Sequence, residues 1–308
     1  AVPASMTLTE LRYIVAVARH RHFGKAAEAC FVSQPTLSVA VRKLEEELGV
    51  RLFERSPNDV LVTDIGATII AQAENVLSAA DGVKLLAEAA RDPLGRELRL
   101  GVIYTVGPYL VPRLIPGLKQ HAPHMALVVQ ENFTDALAAS LKRGDLDAVI
   151  MSLPYTDPQL LSRPLYDEPF NVALPAGHPL AKKKRIAPAD LASDTLLLLG
   201  ALNCFRDQVL EICPVGPQAG GLQKTLEGSS LETICQMVAM GAGLTILPST
   251  MRINEDLAEH LVVRPFVAPQ PTRTIAVFYR RGFARPQVIQ CLATVVREAR
   301  LKGVDYCT

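Results

Sequence analysis

The chain has 308 residues, of which 49% are hydrophobic and 20% are charged, and its net charge at pH 7 is +1. This length and hydrophobic content predict a globular protein of two or three domains and exclude a disordered or fibrous chain. The longest apolar runs, residues 13–18 and 195–202, are too short to span a bilayer. We therefore expect a cytoplasmic protein with no signal peptide and no membrane partner.

The first distinctive pattern is a short alanine-rich helix over residues 24–30, followed by an amphipathic helix that begins at Ser33. Ser33 is a favourable N-cap, and Pro35 stands in the first turn, where its missing N–H costs nothing. Apolar residues recur every three or four positions in the second helix, which leaves other faces for phosphates or base edges. The pattern predicts a helix-turn-helix whose second helix enters a DNA groove. The alternative is an ordinary pair of packed helices.

Two short strands are predicted next, over residues 52–55 and 60–63, around a tight turn. They would form a wing beside the second helix. Basic and acidic residues balance over residues 6–64, so the arrangement of the charges, and not their sum, favours DNA binding. The predicted DNA contacts are Ser33, Gln34, Pro35, Thr36, Ser38, Arg42, Lys43 and, on the wing, Arg55.

A long helix without proline is predicted over residues 65–90. Its apolar stripe comprises Ile69, Ala73, Val76, Leu77, Ala80, Val83 and Leu86. Such a helix would pair two DNA-binding units over two half-sites, and the alternative is that it packs back onto its own domain. Residues 91–95 supply a hinge.

Strand and helix signals alternate beyond the hinge. Strands are predicted over residues 98–103, 126–130, 147–151, 170–174, 195–199, 244–247 and 274–279, and helices over 107–120, 134–142, 230–240 and 286–302. Strands that alternate with helices predict an α/β fold with a mostly parallel sheet. The series is long enough for two lobes with a ligand crevice between them. We expect one lobe at about 95–166 and 268–308 and the other at about 167–267.

The cysteines are Cys30, Cys204, Cys213, Cys235, Cys291 and Cys307. They include no C-x-x-C pair, so we expect no structural metal and no cofactor. In a reducing cytoplasm each would be a reduced thiol, and any disulfide would be transient.

The order of these elements resembles LysR-type transcriptional regulators over residues 6–303. FGKAA at 23–27, VSQPTLS at 32–38 and LEEELGVRLFER at 44–55 look like the N-terminal signature of that family. TVGPYL at 105–110, CFRDQ at 204–208 and SLET at 230–233 look like its peroxide-sensing members. The resemblance implies a winged helix-turn-helix, a long linker helix and a two-lobed, periplasmic-binding-protein-like α/β regulatory domain.

The resemblance also implies a function. Cys204 would react with hydrogen peroxide and Cys213 would resolve the product to a disulfide, with Thr105, Thr134 and Arg280 around the peroxide. The regulator would activate oxidative-stress genes through promoter DNA and RNA polymerase, as a homo-oligomer that we expect to be a tetramer. Relatives usually carry Gly-His before the reactive cysteine, where this chain has Leu202 and Asn203.

A thiol attacks peroxide as the thiolate, which is a small fraction of an unperturbed cysteine at neutral pH. Asn203 can donate a hydrogen bond but carries no charge, so activation is expected from Arg206, a helix N-terminus or the threonine hydroxyls. From spacing alone, two cysteines nine residues apart are more often unrelated buried thiols, and the Arg-Asp-Gln context of residues 206–208 favours a function. If residues 205–212 are helical, the two Cα atoms lie roughly 13 Å apart, whereas a disulfide needs about 4.4 to 6.8 Å. A disulfide would therefore remodel residues 203–221.

Two other functions remain open from the sequence. The regulator could bind a small metabolite between its lobes, with the cysteines incidental. The chain could also be a thiol peroxidase fused to a helix-turn-helix, although it carries no Ser/His/Asp set or glycine-rich nucleotide loop. We expect a regulator and not an enzyme.

Overall fold

A computed structural model of the chain describes residues 6–56, 59–89, 92–213 and 230–307. The contacts divide the chain into two compact units, residues 1–90 and 91–308. No helix in the described ranges has both the length and the hydrophobicity needed to cross a bilayer.

The first unit contains helices α1 (Leu8–His20), α2 (Phe23–Ala29), α3 (Gln34–Leu48) and α4 (Asp64–Ala89), and strands β1 (Phe53–Ser56) and β2 (Asp59–Val62). Ser33 caps α3, since its hydroxyl accepts a hydrogen bond from the Thr36 N–H at 3.3 Å. The helix ends at Gly49, whose φ of +68° is a left-handed conformation that glycine adopts freely. The strands β1 and β2 pair antiparallel, as the wing requires.

Helix α4 is divided between two environments. Ile70 and Ala73 are buried, and Leu77 packs against the same core as α1. Val76 and Val83 are exposed, whereas the side chain of Leu86 lies outside those described. The first half of the helix therefore packs largely onto its own unit, which is the alternative interpretation, and Val83 presents an exposed apolar side chain in the second half.

The second unit contains strands β3 (Leu98–Ile103), β4 (Leu127–Asn132), β5 (Ala148–Ser152), β6 (Leu160–Pro175), β7 (Thr245–Pro248), β8 (Leu261–Pro265), β9 (Thr272–Arg280) and β10 (Asp305–Tyr306). Its helices are α5 (Gly107–His121), α6 (Thr134–Arg143), α7 (Cys204–Ile212), α8 (Leu231–Ala239), α9 (Glu255–Ala258) and α10 (Pro286–Glu298). The strand order is β10-β6-β9-β5-β3-β4, with β7 and β8 also paired to β6.

The predicted mostly parallel sheet is wrong. Only the pairs of β3 with β4 and β5 are parallel in the described part of the sheet, whereas β6 and β9 pair antiparallel with each other and with their other neighbours. The predicted strand over residues 195–199 is also wrong, since this segment makes an isolated bridge from Leu196 to Leu244. The closing helix stops at Glu298 because Arg300 and Gly303 adopt positive φ and turn the chain into β10.

The second unit has two hydrophobic cores, one in each lobe. The first core gathers residues between 98 and 166 and between 275 and 296, and the second gathers residues between 170 and 266. Strand β6 runs through both cores, with Tyr166 in the first and Phe170 in the second. The lobes are called lobe I and lobe II below.

Candidate functional site

Cys204 is the first residue of α7 and lies where that helix meets lobe I. Its side chain packs against the lobe I core, and the Thr134 hydroxyl donates a hydrogen bond to its sulfur at 3.4 Å. Thr134 is itself the first residue of α6. The first turns of two helices therefore meet at the thiol, and both helix dipoles favour negative charge there.

Asn203 serves as the N-cap of α7. Its side-chain oxygen accepts a hydrogen bond from the Phe205 N–H at 3.2 Å, which satisfies a donor that the helix itself cannot pair. Asn203 therefore affects Cys204 indirectly, because it fixes where α7 begins.

Thr105 is buried, and an arginine that the sequence analysis did not single out holds it in place. Arg273 donates from Nη1 to the Thr105 hydroxyl at 2.8 Å and from Nη2 to the Thr105 carbonyl at 3.0 Å. The same guanidinium forms a fully buried ion pair with Glu168 at 2.7 Å. It also lies 4.9 Å from the centre of the Phe205 ring, directly beside Cys204 in the chain. Arg273 and Glu168 are cross-strand partners on β9 and β6, a register that no sequence signal specified.

The structure does not bring Arg280 to this site, so that prediction is corrected. Its guanidinium donates to the carbonyls of Leu141 and Leu146, at the C-terminal end of α6. Thr134 stands at the opposite end of that ten-residue helix, about 15 Å away. The two arginines lie at opposite ends of β9, and Arg273 is the one whose end of the strand faces Thr105.

Arg206 and Gln208 fix α7 by two different contacts. Arg206 donates to the Leu199 carbonyl at 3.1 Å, in the segment that leads into the helix. Gln208 donates from Nε2 to the Ser152 hydroxyl at 2.8 Å and to the Leu153 carbonyl at 3.4 Å. Ser152 and Leu153 belong to lobe I, so Gln208 ties the cysteine-bearing helix across the lobe boundary.

Cys213 is the C-cap of α7 and is buried in the lobe II core. Burial raises the pKa of its thiol to about 11, so the protonated form dominates at neutral pH. Cys204 and Cys213 are both free thiols. The nine-residue helix between them is about 13 Å long, beyond the span of a disulfide. The predicted remodelled segment continues over residues 214–221, which lie outside the described residues.

A cavity of about 680 Å³ opens between the lobes, next to the thiol. Its walls include Tyr104, Thr105, Glu131 and Phe133 from lobe I and Leu202, Asn203 and Glu232 from lobe II. The pKa of Glu131 is raised by burial and by the charge of Glu232, and Glu232 accepts a hydrogen bond from the Tyr109 hydroxyl at 2.6 Å. Among the described residues, no three His, Cys, Asp or Glu side chains could together hold a metal ion.

Most of the predicted DNA contacts are exposed on the first unit. Ser33, Gln34, Pro35, Thr36, Arg42 and Lys43 are exposed, and Ser38 is half-buried. Arg55 lies on β1 of the wing, and its side chain is outside those described. The exposed faces leave α3 free to approach a nucleic acid.

Comparison with known proteins identifies the family to which this architecture belongs. Residues 8–67 match the bacterial regulatory helix-turn-helix proteins of the lysR family, and residues 91–300 match the LysR substrate binding domain. These matches define a DNA-binding transcriptional regulator, and the chain belongs to the LysR family.

Comparison with individual relatives gives a more specific result than the family matches. The chain is 40% identical over 294 residues to the hydrogen peroxide-inducible genes activator of Dickeya chrysanthemi, covering 95% of both. It is 40% identical over 299 residues to the DNA-binding transcriptional dual regulator OxyR of Escherichia coli K12, covering 97% of both. Full-length OxyR of Pseudomonas aeruginosa with a cysteine-to-aspartate change superposes with a TM-score of 0.79 at 48% identity, over 96% of both chains. The second unit has the two-lobed, periplasmic-binding-protein-like fold of the regulatory domain.

Proposed function

We propose that the chain is a peroxide-sensing activator that controls oxidative-stress genes through a reversible Cys204–Cys213 disulfide. The observation that carries the proposal is the position of Cys204, at the first turns of two helices and within 3.4 Å of the Thr134 hydroxyl. Relatives named hydrogen peroxide-inducible genes activators align over nearly the whole chain.

The proposed oxidation of the two thiols by hydrogen peroxide takes place in two steps. The Cys204 thiolate attacks one peroxide oxygen, the O–O bond breaks, and the departing hydroxide takes a proton to leave as water, which yields a sulfenic acid. The Cys213 sulfur then attacks the Cys204 sulfur, the S–O bond breaks, and a second water leaves as the disulfide forms. Each chain is oxidised once and waits for a dithiol reductant, so the protein acts as a sensor and not as an enzyme.

The two thiols have different structural attachments, which supports a conformational switch. Cys204 packs on lobe I, whereas Cys213 belongs to the lobe II core. A disulfide would shorten their separation to about 4.4 to 6.8 Å, so α7 would unwind and Cys213 would leave its core. One covalent bond thereby changes the contact between the lobes.

The proposed partners follow from the exposed surfaces and the family. Residues 6–64 would bind promoter DNA, with α3 in the major groove and the wing alongside. The second half of α4, where Val83 is exposed, would pair two chains, and pairing of the regulatory lobes would complete a tetramer that acts on RNA polymerase.

The test is stoichiometric peroxide added to the reduced full chain, with the thiols followed by mass spectrometry. The wild-type chain should lose both free thiols and gain one Cys204–Cys213 disulfide. Cys204→Ser should abolish this response, and Cys213→Ser should accumulate a sulfenic acid on Cys204. A wild-type chain that forms no disulfide under excess peroxide would overturn the proposal.

A second function is favoured by the cavity between the lobes. Its volume of about 680 Å³ is within the usual range for small-molecule sites. Glu131 and Glu232 face it from opposite lobes, which favours a cationic ligand. The Cys204→Ser variant can be screened against a library of organic amines. An amine that raises its melting temperature would support this alternative.

A further inference from the structure

Val39 is an aliphatic side chain on the outward face of α3. Its exposed fraction is 67%, whereas Leu37, Val41 and Leu44 of the same helix are at most 1% exposed. Two residues of α-helix turn the side-chain direction by about 200°, so Val39 points away from the core face that Leu37 defines. The hydrophobic core of the unit therefore does not account for this valine.

Helix stability does not account for it either. Valine is a poorer helix former than alanine, because its branched side chain loses rotamer freedom against the preceding turn. An exposed position in the middle of a helix would be more stable with alanine, lysine or glutamate. A valine at this position lowers helix propensity without packing into the fold, so its contribution is expected to come from something that α3 contacts.

The neighbours on the same face indicate what that contact is. Pro35 and Thr36 precede Val39 by four and three residues, Arg42 and Lys43 follow it by three and four, and all are exposed. Side chains at these spacings surround Val39 on the helix surface. Arg42 and Lys43 place two positive charges beside the small side chains at the start of α3. This surface complements a polyanion and suits a hydrophobic protein partner poorly.

We infer that Val39 reads the 5-methyl group of a thymine in the major groove, and so contributes to operator specificity. The inference rests on the proposed entry of α3 into that groove. Thymine is the one DNA base that presents a methyl group there, and apolar side chains recognise it by contact. Arg42 and Lys43 would hold the flanking phosphates and keep the helix in register. A cytosine at the same position would place a polar amino group near the valine and would be disfavoured.

The experiment removes the thymine methyl group and the methyl groups of Val39, first separately and then together. A duplex is selected from random-sequence DNA on the reduced full chain, and each thymine is replaced in turn by deoxyuridine, which lacks only the methyl group. At one thymine of each half-site the replacement should weaken wild-type binding about 4-fold, the value of one buried methyl group. Val39→Ala should weaken binding to the thymine duplex by about 4- to 15-fold.

The two effects should not add, because they remove the same contact. The Val39→Ala variant should bind the thymine and deoxyuridine duplexes alike, and selection on that variant should return a relaxed base preference at that position. Val267→Ala, which truncates a partly exposed valine in lobe II, serves as the matched control and should change neither binding nor the deoxyuridine profile.

Two results would overturn the inference: unchanged binding by Val39→Ala, or weakened binding with an undiminished penalty for deoxyuridine. Since alanine favours the helix, Val39→Ala should melt no lower than the wild-type chain. If it does melt lower, Val39→Ser, which has a helix propensity close to that of valine and removes both methyl groups, provides the same comparison. Arg42→Ala separates the two proposals, because its failure to weaken binding would remove the groove placement of α3 itself.

Discussion

The hydroxyl of Thr134 is the group that the fold places against the sulfur of Cys204. Thr134→Val keeps the shape of the side chain and removes this donor, so the rate of Cys204 oxidation should fall. A hydrogen bond of typical net strength corresponds to a change of about 2- to 10-fold. Stopped-flow kinetics with hydrogen peroxide measures the rate, and Thr134→Ser, which keeps the hydroxyl, should stay near the wild-type value. Equal rates in all three proteins would remove Thr134 from the reaction.

Asn203 offers a second test beside the same thiol. Asn203→His should raise the oxidation rate, because an imidazole adds a donor or a cation next to the thiolate. The cap of α7 can survive the change, since His22 and His178 already cap other elements of this chain with ring nitrogens.

The matched control for this test is Asn203→Asp, which keeps the capping oxygen but adds negative charge. Asn203→Asp should slow the attack on peroxide, whereas Asn203→His should accelerate it. Rates that move together in both variants would mean that the cap geometry, and not the charge, controls Cys204.

At this scale, the structure brings together Cys204 and Thr134, which the family resemblance singled out, but it does not bring Arg280 to them. Arg273 and Arg280 lie on one strand, and nothing in the local sequence separates them. The buried arginine is defined by its partner Glu168, which is more than a hundred residues away in the chain. Such long-range pairing depends on strand register, which a single sequence does not display.

The helix α7 is the element that must change between the two redox states. Gln208 ties it to Ser152 and Leu153 of lobe I in the reduced state. Gln208→Leu has a similar helix propensity but no donor, so it should destabilise the reduced state relative to the disulfide. The reduction potential should fall by about 10 to 30 mV, which follows from one hydrogen bond and a two-electron couple.

Titration against a glutathione buffer measures this potential. Asp207→Ala, at an exposed neighbouring position on the same helix, tests whether the shift comes only from altered helix stability. A Gln208→Leu potential equal to that of the Asp207→Ala variant would show that the tie across the lobes has no role in the switch.

Most helices and strands were predictable at the element scale because each has local signals. Residues 98–103 and 230–240 carry clear periodicity and caps, and the structure places elements there. The direction of the sheet was not predictable, since β6 runs through both lobe cores and β9 pairs antiparallel with both β6 and β5. Residues 195–199 have the composition of a strand, yet they make a single bridge, and the four leucines at 196–199 are buried by packing.

At the scale of the whole molecule, Val83 in the second half of α4 provides a test of assembly. Val83 is 68% exposed, so Val83→Asp should fold normally but place a charge in the proposed contact between two chains. Light scattering should show a smaller particle, and DNA affinity should fall because the second half-site is lost.

Leu77→Asp is the variant to compare with Val83→Asp. Leu77 packs against its own core, so a charge there should lower the melting temperature of the first unit as well. A monomeric wild-type chain at micromolar concentration, or an unchanged particle size for Val83→Asp, would contradict the pairing role of α4.

The central position of β9 in the lobe I sheet has a consequence for biosynthesis. β9 lies between β6 and β5, and α10 completes the same core, so lobe I cannot close until residues 272–298 have been made. The lobe II core, which ends at Phe266, emerges from the ribosome earlier. At about 5 to 20 residues per second, the interval from Cys213 to Val296 is roughly 4 to 17 s. During that time a nascent chain has both thiols but no finished lobe I to hold Thr134 against Cys204, so sensing begins only after β9 and α10 have been made.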